Sequence, residues 1–333
     1  MKNKLSQFVC ITIILIVCTT VARAQQNAQY TQFMYSKLPQ NAAYTGSKEA
    51  LSIRALYRDQ WSAKRGHAIE GAPKTTIFSI HSPFKKEFFA LGFYYVNDRI
   101  GLEQKNQFNV TYAYRVSLGK KIKLSIGINT GILWYKLNAT EAILVNPNDN
   151  KYKENVSRVL PDVGAGIYIY HPNFYVGASC PNFIKGRLAN KYDNVSNAVR
   201  TAHLVFMAGA VIPVNKHIKI RPQVQYSYIA SAVQKVPHTF DFNLSLMLYN
   251  KVNVGAQYHT TFANKSNGVK LTNPDSIDFM VEAWPVKQFM IGYSYDYTLS
   301  KLAGLNSGTH EIMIGYDLTP KKKKNYHTGC YNF

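Results

Sequence analysis

The side chains best suited to acid–base or metal chemistry in this 333-residue chain are nine histidines: His67, His81, His171, His203, His217, His238, His259, His310 and His327. None stands in a spacing that chemistry would need. There is no H-E-x-x-H, no G-x-S-x-G, no catalytic S-x-x-K context and no glycine loop that could cradle phosphate. His310 and Glu311 are neighbours, so on a strand they face opposite sides and cannot act on one group. A Ser/His/Asp set assembled from separate strands is left open. Of four cysteines, Cys10 and Cys18 fall in the leader, and Cys180 and Cys330 are too few for a metal framework. A disulfide between them suits a secreted chain, but spacing does not establish it. The residues predict no catalytic set, metal or cofactor, and so a protein that is not an enzyme.

The remaining reactive feature is charge, +21 net, of which the leader holds only Lys2, Lys4 and Arg23. Such basicity suits nucleic acid, acidic lipid or an acidic partner, and a secreted chain argues against nucleic acid. What matters is which elements carry the charge.

Met1 to Ala24 has a positive start, an apolar core from Phe8 to Val17 and Ala22-Arg23-Ala24 before Gln25. This is a secretory signal peptide pattern, and the mature chain is expected from Gln25. No later stretch approaches the roughly 20 apolar residues of a membrane helix. From about Leu51 to Leu318, polar and apolar residues alternate. Phe108, Val110, Tyr112, Tyr114, Val116 and Leu118 interleave with Gln107, Asn109, Thr111, Ala113, Arg115 and Ser117. Runs of about ten residues with this period, separated by turns, are the signature of a transmembrane β-barrel. A mean hydropathy of −0.20 is compatible, because only alternate residues would face lipid. The 24 Tyr and 17 Phe suit aromatic girdles at the two interfaces. A soluble sandwich or lipocalin-like barrel, which would bury the apolar face, is the rival fold.

The pattern predicts an all-β, 14-stranded antiparallel barrel of outer-membrane type, with strands near 50–61, 74–84, 87–97, 107–118, 121–134, 161–170, 173–180, 200–212, 216–228, 239–249, 251–261, 275–284, 287–297 and 308–318. Connections after even strands are short and those after odd strands long, the asymmetry of periplasmic turns and external loops. Both termini then fall on the periplasmic side, in a bacterial outer membrane. Residues 25–49 precede the barrel (50–318) as a periplasmic or plug segment, and 319–333 form a basic tail. Pro222 inside a strand predicts a bulge.

On this topology Lys85, Lys86, Lys120, Lys121, Lys216, Lys251 and Lys287 border the short turns, with Lys321, Lys322, Lys323 and Lys324 after the last strand. Two readings stand: solvation of strand ends, or a docking face for a periplasmic partner. Arg54, Arg58, Arg115, Lys123, Lys219 and Arg221 point inward, as do Asp278, Glu282, Asp296, Glu311 and Asp317. Closure sets the last strand against the first, which predicts Glu311 beside Arg54 or Arg58. The alternative is that these charges line an aqueous pore.

Five segments carry more specific sequence: Leu38-Pro39-Gln40-Asn41-Ala42-Ala43-Tyr44-Thr45-Gly46-Ser47, Leu56-Tyr57-Arg58-Asp59-Gln60-Trp61, the run from Gly71 to Pro83, Gly92 to Gly101, and Ser307-Gly308-Thr309-His310-Glu311-Ile312. In this order they resemble the PorP/SprF family of type IX secretion outer-membrane proteins of Bacteroidetes. The family's N-P-A-Y-A-G-S here reads Asn41 to Ser47 with Ala42 for Pro and Thr45 for Ala. The final Cys330-Tyr331-Asn332-Phe333 has Tyr331 where members tend to have Pro. The resemblance implies a non-catalytic accessory barrel supporting protein secretion or display of a gliding adhesin. It implies as partners outer-membrane lipids, the periplasmic secretion ring or a peptidoglycan-linked lipoprotein, and cargo with a C-terminal sorting domain. A porin or transporter for small molecules is the alternative function.

Overall fold

The computed structural model describes residues 31–62, 69–84, 88–142, 154–184, 186–188, 199–230, 238–266, 269–304 and 306–318. Fourteen strands close into one antiparallel ring. The first seven are β1 (Leu51–Asp59), β2 (Lys74–Phe84), β3 (Phe89–Ile100), β4 (Glu103–Ser117), β5 (Lys123–Leu137), β6 (Val156–His171) and β7 (Phe174–Asn182). The others are β8 (Ala202–Ala210), β9 (Ile218–Ala230), β10 (His238–Leu248), β11 (Val252–Ser266), β12 (Val269–Val286), β13 (Phe289–Thr298) and β14 (Thr309–Leu318). Each pairs with its sequence neighbour, and β14 pairs with β1 from Leu51↔Leu318 to Asp59↔His310. A two-residue piece, Ile212–Pro213, continues β8 against β9, and Gly186–Arg187 pairs with Val199–Arg200 as a small separate ribbon. No described helix is long and apolar enough to cross a membrane.

The side chains are sorted inside out. Along β5, Ile126 and Ile128 are 51% and 48% exposed, while Ser125 and Asn129 on either side of them are 0% and 2% exposed. The same holds for Leu244 and Leu246 against Asn243 and Ser245, and for Ile312 and Ile314 against Glu311. An apolar band turned outward around a polar interior is stable only where the surroundings are hydrocarbon. Ring closure leaves no unpaired sheet edge in that medium. Aromatic contacts collect at both ends of the strands. Phe84–Phe89 and His217–Tyr249 lie by the short turns. Tyr226–His238 and Tyr295–His310 lie toward the long loops.

Two expected long loops are instead hairpins. The β3–β4 ladder runs to Ile100↔Glu103 around Gly101, whose φ is +57°. Strands β11 and β12 reach Ser266 and Val269. Beyond the lipid band both strand faces are wet, so the period of two fades while backbone pairing continues. There Thr75 donates to Asp98 at 2.8 Å, and Tyr95 and Asn97 donate to Asn106 at 2.9 and 2.8 Å. The strict alternation of long and short connections therefore fails at these two places. The bulge expected at Pro222 is also absent on the β10 side, where Pro222↔Leu244 stays in register. On the β8 side the ladder is interrupted between Gly209↔Gln223 and Ile212↔Ile220 but resumes in the same register, so no bulge forms there either. Val211 there donates its N–H to Asn173 at 2.7 Å instead.

The bore is filled by residues 31–50, nearly all buried. Phe33, Met34, Tyr35, Leu38 and Tyr44 pack against wall residues Tyr94, Tyr168, Tyr170, Tyr175, Met280, Met290 and Met313, with Trp284 alongside. Burying each such side chain is worth about 1.5–3 kcal/mol. A 3₁₀ turn, Ala42–Tyr44, lies on β5 and β6. It fits because β5 carries Gly127, where a Cβ would overlap the Ala42–Ala43 backbone. We predict that Gly127→Leu lowers stability by about 1–3 kcal/mol through this overpacking, read as the urea midpoint of the folded, heat-modifiable gel band. An unchanged midpoint would remove the claim that the segment is packed tightly there.

Candidate functional site

The filled bore is best followed from the start of β1 backward. At the short-turn end Glu49 pairs with Lys123, and Asp317 accepts from Arg54 at 2.7 Å with Lys48 at 3.7 Å. Gly46 donates its N–H to His81 Nδ1 at 3.0 Å and accepts from Arg115 at its carbonyl. Thr45 bonds Thr111 across to β4. Asn41 caps the 3₁₀ turn, its Oδ1 accepting from Ala43 N at 2.9 Å and its Nδ2 donating to Ile167 O at 3.1 Å. Ser179 donates to Gln40 O, and Lys37 Nζ lies 3.7 Å above the Tyr175 ring. Tyr35 accepts from Arg221 at 2.9 Å.

The far end of the segment is latched. The N–H groups of Thr31 and Gln32 donate to Glu311 Oε2 and Oε1 at 3.1 and 2.8 Å. Thr31 Oγ1 donates to Asp296 at 2.7 Å, and Arg58 bonds Thr31 Oγ1. Arg58 also lies 2.8 Å from Asp296 and 3.3 Å from Glu311. Arg58, Asp296 and Glu311 sit near the long-loop ends of β1, β13 and β14. The segment thus spans the bore from one strand end to the other instead of occupying one mouth.

The seam register explains which arginine meets Glu311. Arg58 is its direct partner across β1–β14, whereas Arg54 faces Gly315 and turns to Asp317. Other polar clusters lie off the seam. Asp162 accepts from Arg200 at 2.6 Å and from Asn109 at 2.8 Å. His259 bonds Asp241 and stands 3.5 Å from Asp275. Thr31, Arg200 and the Asp241–His259 pair were missed by the sequence reading because contacts between distant segments leave no local signal. Asn41 did have one, as an Asn immediately before a short helical turn. Cys180 is buried and free, and Cys330 lies outside the described residues. Among the described residues no His, Cys, Asp and Glu side chains form a group able to hold a metal ion.

The rim lysines Lys120, Lys121, Lys216, Lys251 and Lys287 are all exposed at the short-turn end. Lys85, Lys86 and Lys321 to Lys324 lie outside the described residues. The latch yields a direct prediction. Glu311→Ala leaves the Thr31 and Gln32 N–H groups without an acceptor in a buried site and Arg58 with Asp296 as its remaining carboxylate partner, and should cost about 3–5 kcal/mol, measured by chemical denaturation in detergent. Equal stability of the variant and the parent would show that the latch carries no load.

The structure is similar to the CymD monoaromatic hydrocarbon channel, with a TM-score of 0.52 at 10% identity over 85% of this chain and 92% of that one. A TodX monoaromatic hydrocarbon channel mutant gives 0.50 at 10% identity over 85% and 94%. The Ralstonia pickettii toluene transporter TbuX gives 0.47 at 10% identity over 85% and 93%. At such identity the likeness is one of fold, an outer-membrane barrel. No curated protein matches the chain. The family model described as type IX secretion system membrane protein PorP/SprF matches residues 22–316. The chain therefore belongs to the PorP/SprF family, an outer-membrane β-barrel component of type IX secretion.

Proposed function

We propose that this barrel works as a non-enzymatic docking component, supporting export or surface display of cargo such as a gliding adhesin. The observation that carries this reading is the packed segment 31–50, which occupies the bore and is fixed at both ends. A barrel sealed this way offers faces to partners in place of a passage. The family membership supports the secretion setting. The short-turn face is proposed to look into the periplasm, together with the end of β14. Its exposed lysines Lys120, Lys121, Lys216, Lys251 and Lys287 would meet acidic surfaces of the secretion ring, a peptidoglycan-linked lipoprotein, or cargo carrying a C-terminal sorting domain.

Two measurements test this. In planar bilayers the purified protein should give no large, stable open conductance; a steady open pore would favour small-molecule transport instead. Replacing the five rim lysines with Gln should lower surface display of sorted cargo several-fold while barrel abundance in the outer membrane stays constant. Undiminished display would overturn the docking role of the rim.

A further inference from the structure

The short-turn mouth is lined unevenly. Residues 40–50 lie against the side formed by β2 and β4 to β7, with Lys48 reaching Asp317 of β14. On the β9–β12 side, Lys219, Met247 and Trp284 are only half-buried. Lys219 and Met247 are direct partners across β9–β10, and Trp284 lies 6.3 Å from the Tyr35 ring. One inward position deeper on β9 is Arg221, 1% exposed.

Arg221 is incompletely satisfied. Its Nη1 donates to the Tyr35 hydroxyl, but Nε and Nη2 have no acceptor among the described residues. Glu282 on β12 accepts from Asn253 at Oε2, while its Oε1 has no donor among the described residues and does not reach Arg221. A buried guanidinium with idle donors is costly, and its planar fork matches a carboxylate. It faces the bore, so the barrel wall separates it from lipid. Methionine and an aromatic ring beside an arginine are the composition of protein interface cores.

We propose that Arg221, fronted by Lys219, Met247 and Trp284, binds a carboxylate presented by a partner protein segment entering the short-turn mouth. The carboxylate is an acidic side chain or a chain terminus beside an apolar residue. This deepens the docking reading above and rests on it.

N-acetylphenylalanine, an apolar ring with one carboxylate, is the probe, and its neutral amide is the control. In detergent the acid should raise the Tm by about 2–4 °C at saturation and change Trp284 fluorescence, while the amide does neither. Arg221→Gln should abolish the response and Arg221→Lys retain part of it. Lys219→Gln, at a half-buried position that leaves the Tyr35 contact intact, should weaken it. Equal responses to acid and amide, or equal responses of parent and Arg221→Gln, overturn the site. Stabilisation by phosphatidylglycerol nanodiscs that Arg221→Gln removes would assign the arginine to lipid and likewise overturn it. Cargo display separates the two readings. A display defect in the rim-lysine variants, without an acid-specific response, removes this site and leaves docking standing. An acid-specific response with normal display in both sets of variants keeps the site and removes docking.

Discussion

Everything in this molecule follows from the inability of hydrocarbon to satisfy a backbone N–H or C=O. A sheet in that medium must close on itself, and closure here depends on the β1–β14 seam. Its register is fixed twice over. The outward side chains of both strands must stay apolar, since a slip of one strand by one residue would turn its own inward charge, Arg58 on β1 or Glu311 on β14, toward lipid. The inward charges must also meet, as Arg58 and Glu311 do directly across the seam. One alignment satisfies both demands.

Closure creates a second problem, which the segment 31–50 solves. The inward face is rich in Asn, Ser, Thr and charged side chains because the outward face cannot hold them. Those groups need partners. The strap supplies backbone donors to Glu311, a carbonyl to Arg115, an amide to Ile167 and a carboxylate to Lys123. It also brings Phe33, Met34, Tyr35, Leu38 and Tyr44 to the inward-facing tyrosines and methionines of the wall. A barrel whose outer surface needs lipid thus carries an ordinary apolar core inside, with the wall as one half and the strap as the other.

This division explains what could be read from the sequence. The fourteen strands were legible because lipid imposes a period of two on most spanning stretches; β8, with apolar Val205 and Met207 turned inward, keeps it least. The strand ends were not, because above the membrane Asn97, Asp98, Gln104 and Lys105 extend the ladder without alternation. The lumen charges were legible as a set, since parity alone turns them inward. Their pairing was narrowed to Arg54 or Arg58, and the choice needed the register. The path of residues 31–50 had no periodic signature, as an irregular strap is held by contacts scattered over most of the ring. Gly127 offers a clue only once one knows what lies across from it.

The two ends of the barrel are chemically unlike, and the difference bears on how a barrel with a packed segment in its bore could serve secretion. At the short-turn end, exposed lysines stand next to exposed apolar residues. Lys251 follows Tyr249, which is 66% exposed, and Lys287 follows Val286, which is 56% exposed. Long cationic stems beside an apolar band can keep their charge in water while their methylenes cover that band. Such a rim suits the edge of an apolar band and presents positive charge to the water on that side. At the long-loop end the strap is held by Arg58, Asp296 and Glu311, and at the short-turn end by Lys123 through Glu49. A strap packed against the wall between two such anchorages makes one body of strap and barrel, which suits the docking role proposed above better than it suits a gate.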